Sequence, residues 1–296
     1  MKNLAPIVVF ACNRPEHLYK LLKSLEINPI SRNSDIYFYI DQPQNSKDNS
    51  DNNKTIDLVN EDWDFKNKFV IVREFNFGLQ KNIIDGVTDV ISEHGKAIIL
   101  EDDLEVSSDF LNFMNESLNK YQNDKDVWHV TGFNYKIPAI SAKGSFFTTH
   151  MNCWGWGTWD DRWVHIQNNM VNKIHKNKIK KFNFGNLILN NYNQLILNEK
   201  GQIKTWAIYW YQTIFLNHGL CLMPNKSLVY NNGFDGSGIH TSKSGYKLSK
   251  LNHKKVSTLP NKIKESLTYK FLLKYYFFKL RLKDFVTYHL RKLFSS

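Results

Sequence analysis

The chain has 296 residues, 42% of them hydrophobic, and a net charge of +11, which is enough material to bury one sizeable core. Residues 262–296 carry nine Lys or Arg against two acids, so +7 lies in that stretch and +4 on residues 1–261, which argues against the broad basic footprint of a nucleic-acid-binding protein. Cys12, Cys153 and Cys221 offer neither a disulfide framework nor metal-ligand spacing and fit a reducing cytoplasm, and no run of about eighteen apolar residues would cross a bilayer.

In chain order, Met1 to Cys12 is short, contains Pro6 and lacks a small-residue cleavage site, so it reads as a first strand rather than a signal peptide. Ile7 to Ala11 is the apolar β-branched run, and after Pro15 the positions Leu18, Leu21, Leu22 and Leu25 follow helical spacing. Ile36 to Ile40 is the next strand. Gln42 to Asn53 is almost devoid of apolar residues and reads as a mobile polar loop without a motif, followed by a weak helix around Thr55 to Val59. Phe69 to Val72 is a strand, Ile83, Ile84, Val87 and Ile91 mark a helix stopped by Gly95, and Lys96 to Leu100 is a strand. Phe110, Phe113, Met114 and Leu118 mark a helix, and Val127 to Val130 a strand. This alternation predicts an α/β fold with a mostly parallel sheet flanked by helices. After about Tyr135 it fades, and Trp, Tyr, Gly and Asn become frequent. The expected division is residues 1–260 as one domain, with a nucleotide-binding half at 1–135 and an acceptor-side half at 136–260, followed by a basic aromatic helical tail at 261–296.

Chemistry concentrates at Glu101-Asp102-Asp103, straight after the apolar run Lys96 to Leu100. Open α/β sheets bind ligands at the carboxyl ends of their strands. A hard cation takes one or two such carboxylates and completes its shell with water and phosphate oxygens; the other reading is a solvated acidic cap. Side chains alternate along a strand, so Glu101 and Asp103 are expected on one side and Asp102 on the other.

The segments Phe10-Ala11-Cys12-Asn13-Arg14-Pro15, Ile40-Asp41, Asn76-Phe77-Gly78-Leu79 and Leu100 to Val106 fall at successive strand ends, with Ser108-Asp109-Phe110 opening the next helix. This series resembles the GT-A (Rossmann-like) nucleotide-sugar glycosyltransferases, and within them the N-acetylglucosaminyltransferase I type and bacterial relatives that build surface polysaccharides; the likeness covers roughly residues 5–240. It implies a divalent-metal-assisted hexosyl- or N-acetylhexosaminyl-transferase using a nucleoside-diphosphate sugar, most simply a UDP-sugar, with Mn²⁺ or Mg²⁺ as cofactor and a glycan or lipid-linked acceptor. It also implies roles. Arg14 lies near the diphosphate, Asp41 accepts from the uracil, Asn76 lies near another base contact, Glu101 and Asp102 meet sugar and ribose hydroxyls, and Asp103 holds the metal. Arg14 and Asn76 also read as a surface arginine and a turn residue.

The sequence departs from that pattern at the general base. Where the eukaryotic enzymes carry Trp-Asp, the best match here is Trp206-Ala207, and alanine takes no proton. Either the base comes from elsewhere, the local match is wrong, or the stereochemical course differs. Candidates are Asp161 (with Asp160) in the Trp-rich segment Trp154 to Trp163, and Asp235 in the Gly-rich run Gly233 to Gly238. His240, just beyond, is a candidate metal or phosphate contact or a structural histidine. Trp154, Trp156, Trp159 and Trp163 offer flat faces to a sugar ring, with core packing expected for at least two; Trp206 and Trp210 stand at helical spacing. The tail, Tyr269 to Phe294, suits either a helix lying on an anionic membrane surface at the inner face of the cell membrane or one packed on the domain. A nucleotidyltransferase, disfavoured by the absence of a Gly-rich phosphate loop after the first strand, and a non-catalytic nucleotide- or glycan-binding protein are the alternatives.

Overall fold

A computed structural model describes residues 4–138, 144–166, 173–185, 190–235 and 251–294, with the side chains of Asp235 and of 283–294 outside that description. Strands β1 (Ile7–Ala11), β2 (Asp35–Ile40), β3 (Asn67–Val72) and β4 (Lys96–Glu101) form the parallel block β3-β2-β1-β4. Their residues alternate between two cores. Val9, Phe38, Ile98 and Leu100 face helices α1 (Pro15–Glu26), α2 (Asn49–Asn60) and α4 (Phe110–Lys120), whereas Val8, Tyr37, Tyr39 and Ile99 face α3 (Leu79–His94) and the helix Ala207–Leu216. Both faces of β1, β2 and β4 are covered, which is why these strands are apolar runs, whereas the edge strand β3 leaves Phe69 and Val72 exposed. Pro15 starts α1 at its first turn, where a missing N–H costs nothing, and Gly95 ends α3 in the left-handed region at φ 75°.

The remaining strands continue the same eight-stranded sheet in the order β4-β8-β6-β9-β7, from β6 (Val127–Thr131), β7 (Ser145–Thr148), β8 (Trp156–Trp159) and β9 (Leu220–Pro224). β8 runs antiparallel between β4 and β6, so the sheet is mixed and the second half of the chain is woven into the first. A separate antiparallel pair, β5 (Leu104–Val106) with β10 (Val229–Asn231), stands beyond β4.

One expectation is corrected. The stretch from Gln42 to Asn53 is not a featureless loop, because α2 already begins at Asn49 and the buried Asn52 amide donates to the carbonyls of Cys12, at 2.7 Å, and Asp41, at 2.9 Å. One polar side chain ties together two strand exits, a function that apolar periodicity does not register. Core packing, expected for at least two of the four tryptophans of the Trp-rich segment, holds for three: Trp156 and Trp159 in β8, in the middle of the sheet, and Trp163 just after it are fully buried. The tail begins as a helix, Leu267–Phe294, whose inner residues Tyr269, Leu273 and Phe277 are buried against the domain, with Tyr269 stacked on Phe146 at 3.8 Å.

Candidate active site

β1, β2 and β4 end side by side, Ala11 opposite Ile40 and Phe10 opposite Glu101. The chain leaves each strand still bonded to its neighbour, through Asp41 N to Ala11 O (2.9 Å) and Asp102 N to Phe10 O (3.0 Å). Arg14, Asp41 and the acidic triplet are thereby brought to one rim, as expected of strand-exit residues in this architecture.

Beyond Glu101 the chain turns, so the strand alternation expected for the triplet does not persist. Arg14 reaches both aspartates: Nε and Nη2 donate to the Asp102 carboxylate, and Nη1 donates to Asp103 Oδ2 at 3.2 Å. Asp102 is buried; Glu101 and Asp103 are half-buried. Burial, then the charges of Asp103 and Asp102, pushes the Glu101 carboxyl far above its ordinary value, and burial raises Asp102 against the pull of Arg14. Burial opposes the charge on Arg14, but Asp102 and Asp103 outweigh it and hold the guanidinium protonated. Three carboxylates share one guanidinium, an excess of two negative charges when all are ionised.

The segment after β10 folds back onto this cluster. Asn232 N donates to Asp103 O at 2.7 Å, Asn232 Nδ2 to Glu105 Oε1 at 2.7 Å, and Gly233 N to Asn231 Oδ1 at 2.7 Å. Gly233 lies so close that a Cβ there would meet Asp103 Oδ2 at 2.4 Å. Cys153, half-buried, has its thiol pushed up by burial and then by the Glu101 charge, which places it beside the triplet. Trp154 packs edge-on to Phe133 and Phe234, with centroids 4.5 and 5.5 Å away.

These residues fit a hard divalent cation. The donors are carboxylate oxygens, a cation would offset the burial and mutual repulsion that raise Glu101 and Asp102, and the space beside Asp103 Oδ2 is left free of a side chain by a glycine. Among the described residues no three His, Cys, Asp or Glu converge as a closed cage. The arrangement is that of an open site in which one or two carboxylates leave the remaining positions to phosphate and water. His240 lies outside the described residues.

At the far side of the rim, Asp41 Oδ1 accepts from Phe77 N at 2.8 Å and Gln42 N at 2.9 Å, and Asn76 Nδ2 donates to Gln42 O at 2.5 Å. Arg73, which the sequence reasoning missed, has its guanidinium between the rings of Tyr39 and Phe77, at 4.8 and 4.7 Å, and donates through Nε to Asn82. Its signal was positional, since it immediately follows the last residue of β3 much as Asp41 follows β2. A groove of about 950 Å³ opens on the other side of Arg14 between α1 and α2, lined by Asn13, Arg14, His17, Tyr19, Asp51 and Lys54 among others; none of the triplet lines it.

Asp161 is not brought to this rim. β8 is antiparallel to β4 with Trp159 opposite Lys96, so Asp160 and Asp161 emerge at the opposite end of the strand from Glu101. Burial acts to raise Asp161, but hydrogen bonds from Lys125 and Arg162 outweigh it and lower it, the reverse of what a proton acceptor needs. Ala207 opens its helix between the buried Trp206 and Ile208, and Trp210 donates to His129 Nδ1 at 3.1 Å, so Trp206 and Trp210 anchor the core. The backbone of Asp235 ends the turn Gly233–Asp235, which directly follows the Asn232 amide bonded to Asp103 O.

Among solved structures, the chain is similar to S. aureus TarS 1–349 (TM-score 0.45, 10% identity, covering 78% of this chain and 62% of that one), to a putative glucose-1-phosphate thymidylyltransferase from Bacillus anthracis (0.39, 8%, 74% and 85%) and to the mannosyltransferase PcManGT from Pyrobaculum calidifontis in complex with GDP-Man and Mn²⁺ (0.39, 8%, 72% and 70%). The chain thus spans less than two thirds of the TarS fragment. No curated protein matches it. The model of the GNT-I family matches residues 1–156, a span that holds Arg14, Asp41, Asn76, the triplet and Trp154. With more than half of its length so matched, the chain belongs to the GNT-I family of GT-A nucleotide-sugar glycosyltransferases.

Proposed function

We propose that the protein transfers a sugar from a UDP-sugar, with the help of Mn²⁺ or Mg²⁺, to a glycan or lipid-linked acceptor during bacterial surface polysaccharide synthesis, acting from the cytoplasmic side. The observation that carries this is the convergence of Glu101, Asp102 and Asp103 on one strand exit beside Arg14, with Gly233 packed so closely that no side chain separates it from Asp103 Oδ2. Asp103 would hold the cation, and Glu101 and Asp102 would face sugar and ribose hydroxyls. A divalent cation there supplies charge stabilisation to a departing diphosphate.

The chain's own residues do the rest. The guanidinium of Arg14 has five N–H groups, of which three are aimed at Asp102 and Asp103, leaving two for diphosphate oxygens. Asp41 commits Oδ1 to two backbone amides, which fixes the orientation in which its second oxygen meets the imide N–H of a uracil. Asn76 and Gln42 close the loop over that end. Trp154, pinned by Phe133 and Phe234, presents an aromatic surface beside the triplet for the sugar ring. Asp235, at the end of the turn that hangs from Asp103, takes the acceptor proton in place of the carboxylate that Ala207 lacks, and His240 adds a contact to the cation or phosphate.

The test is a thermal-shift and UDP-release assay with UDP- and GDP-sugars, with Mn²⁺, Mg²⁺ or EDTA, on the native chain, Asp103→Ala and Asp235→Asn. A ligand that binds only the folded form raises the melting temperature by mass action. A metal-dependent shift with a UDP-sugar, lost in Asp103→Ala, is expected. Asp235→Asn should keep the shift and lose turnover by about 10²-fold or more. Pyrophosphate release from a nucleoside triphosphate, or nucleotide-sugar binding indifferent to both metal and Asp103, would overturn the proposal.

A further inference from the structure

Over its described side chains, residues 267–282, the helix Leu267–Phe294 has two apolar faces, one of them packed on the domain. At about 100° per residue, Tyr269, Leu273 and Phe277 point one way and are buried. Leu267, Phe271, Tyr275, Phe278 and Leu282, spaced by four, four, three and four, lie diametrically opposite and are 45–76% exposed. A contiguous outward row of this size is not the scattered apolar exposure of an ordinary surface.

Its borders are basic. Lys274 and Arg281 flank one side and Lys279 the other, and no acid occurs from Ser266 to Lys283; Lys270, on the first side, is paired with Glu265, and the Lys274 ammonium lies 5.8 Å from the Phe184 ring. Lys279 sits over the Tyr275 ring at 4.6 Å, so a charge and an aromatic of the row are presented together. The row's aromatic and leucine side chains between cationic margins match a bilayer interface, where apolar groups enter the acyl boundary and lysines meet anionic headgroups. Two copies packed through this face would bring like charges together along both margins. Among the described residues no helix is long and apolar enough to cross a membrane, so the fit is to the surface.

We infer that this outward face is a docking surface for an anionic lipid bilayer, holding the helix flat on the membrane with the catalytic domain on its inner side. The inference rests on the proposed use of a lipid-linked or membrane-proximal acceptor, and deepens it by naming the contact surface. The experiment is co-sedimentation of the full chain with vesicles of phosphatidylcholine alone or mixed with phosphatidylglycerol, at low and high salt, for the native chain, Phe271→Ser/Phe278→Ser and Lys279→Glu. The mixed vesicles should capture the native chain, less so in high salt. The phenylalanine pair should lower the partition by about 100-fold and the lysine variant by about tenfold, with unchanged melting temperatures, because Phe271, Phe278 and Lys279 are all exposed. Equal capture by both vesicle types, or capture indifferent to both variants, overturns the inference. So does a native dimer that dissociates in the phenylalanine variant while vesicle binding persists. UDP-sugar binding in solution, measured on the same variants, should not change, which separates failure of the membrane surface from failure of the proposed activity.

Discussion

Gly233→Ala tests the site with the addition of one methyl group. The added carbon would lie 2.4 Å from Asp103 Oδ2 and 3.1 Å from Asp103 Cγ and Asn231 Oδ1, where ordinary contact begins at 3.4 Å. Since Asn231 and Asn232 fix the loop to the strand exit, the freer partner is the Asp103 carboxylate, which must retreat by about 1 Å, away from its 3.2 Å bond to Arg14. Overpacking costs about 1–3 kcal/mol in a tight core; at a half-buried side chain the lower end applies, and the melting temperature should fall by only a few degrees. A displacement of about 1 Å in a catalytic array costs about 10²-fold in rate. Steady-state UDP release with a Mn²⁺ titration should therefore show kcat/KM down by about two orders of magnitude and weaker metal dependence. Gly132→Ala is the control: its methyl would press on the Phe110 ring at 2.5 Å in the core, so stability should drop with metal affinity intact. A Gly233→Ala enzyme with native turnover and native metal response would show that Asp103 is not where the charge is handled.

Arg14→Met leaves three clustered carboxylates without their guanidinium and should cost about 3–5 kcal/mol in denaturant unfolding at about pH 8. Glu101 and Asp102 have raised values in the folded state, so the folded variant takes up protons before the unfolded one; the deficit should shrink as the pH falls toward about 5, and a deficit independent of pH would refute the charge argument. His150 is buried and its value is lowered to about 3, first by burial and then by His129, so it stays neutral in the fold while the unfolded chain protonates below about 6.5. His150→Phe should therefore gain on the native chain by about 1.4 kcal/mol per pH unit below that value, read from paired urea melts, and a constant difference would contradict it. Asn52→Ala removes two hydrogen bonds to strand-exit carbonyls and should cost about 1–3 kcal/mol while weakening UDP binding; an unchanged nucleotide affinity would show that Asp41 is positioned without it.

The first half of the chain was legible because its physics is local. β-branched runs buried on both faces, helices with leucines at 3.6-residue spacing and a left-handed glycine at Gly95 each declare an element within about ten residues, and a parallel sheet places every strand exit on the same rim. Once Ile7–Ala11 and Lys96–Glu101 are recognised as adjacent parallel strands, Arg14 and Asp103 must meet. Asn52 and Arg73 escaped for the opposite reason. Their roles are hydrogen bonding and stacking across 30 to 40 residues of chain, and neither leaves a periodic trace.

The second half of the chain resisted for a reason of topology. β8 is a four-residue strand inserted antiparallel between β4 and β6, and its direction decides which end of the sheet its flanking aspartates reach. Sequence showed carboxylates after a tryptophan-rich run; only the pairing of Trp159 with Lys96 shows that they leave at the wrong end. The same logic elevates the segment after β10. That strand pairs with β5, which follows the triplet at once, so antiparallel geometry returns Asn231, Asn232 and Gly233 to Asp103. A proton acceptor in this chain need not replace the carboxylate missing at Ala207, which starts a helix set into a tryptophan core. It needs only to follow Gly233 on a turn already anchored to the acidic cluster, the place that Asp235 occupies in the sequence.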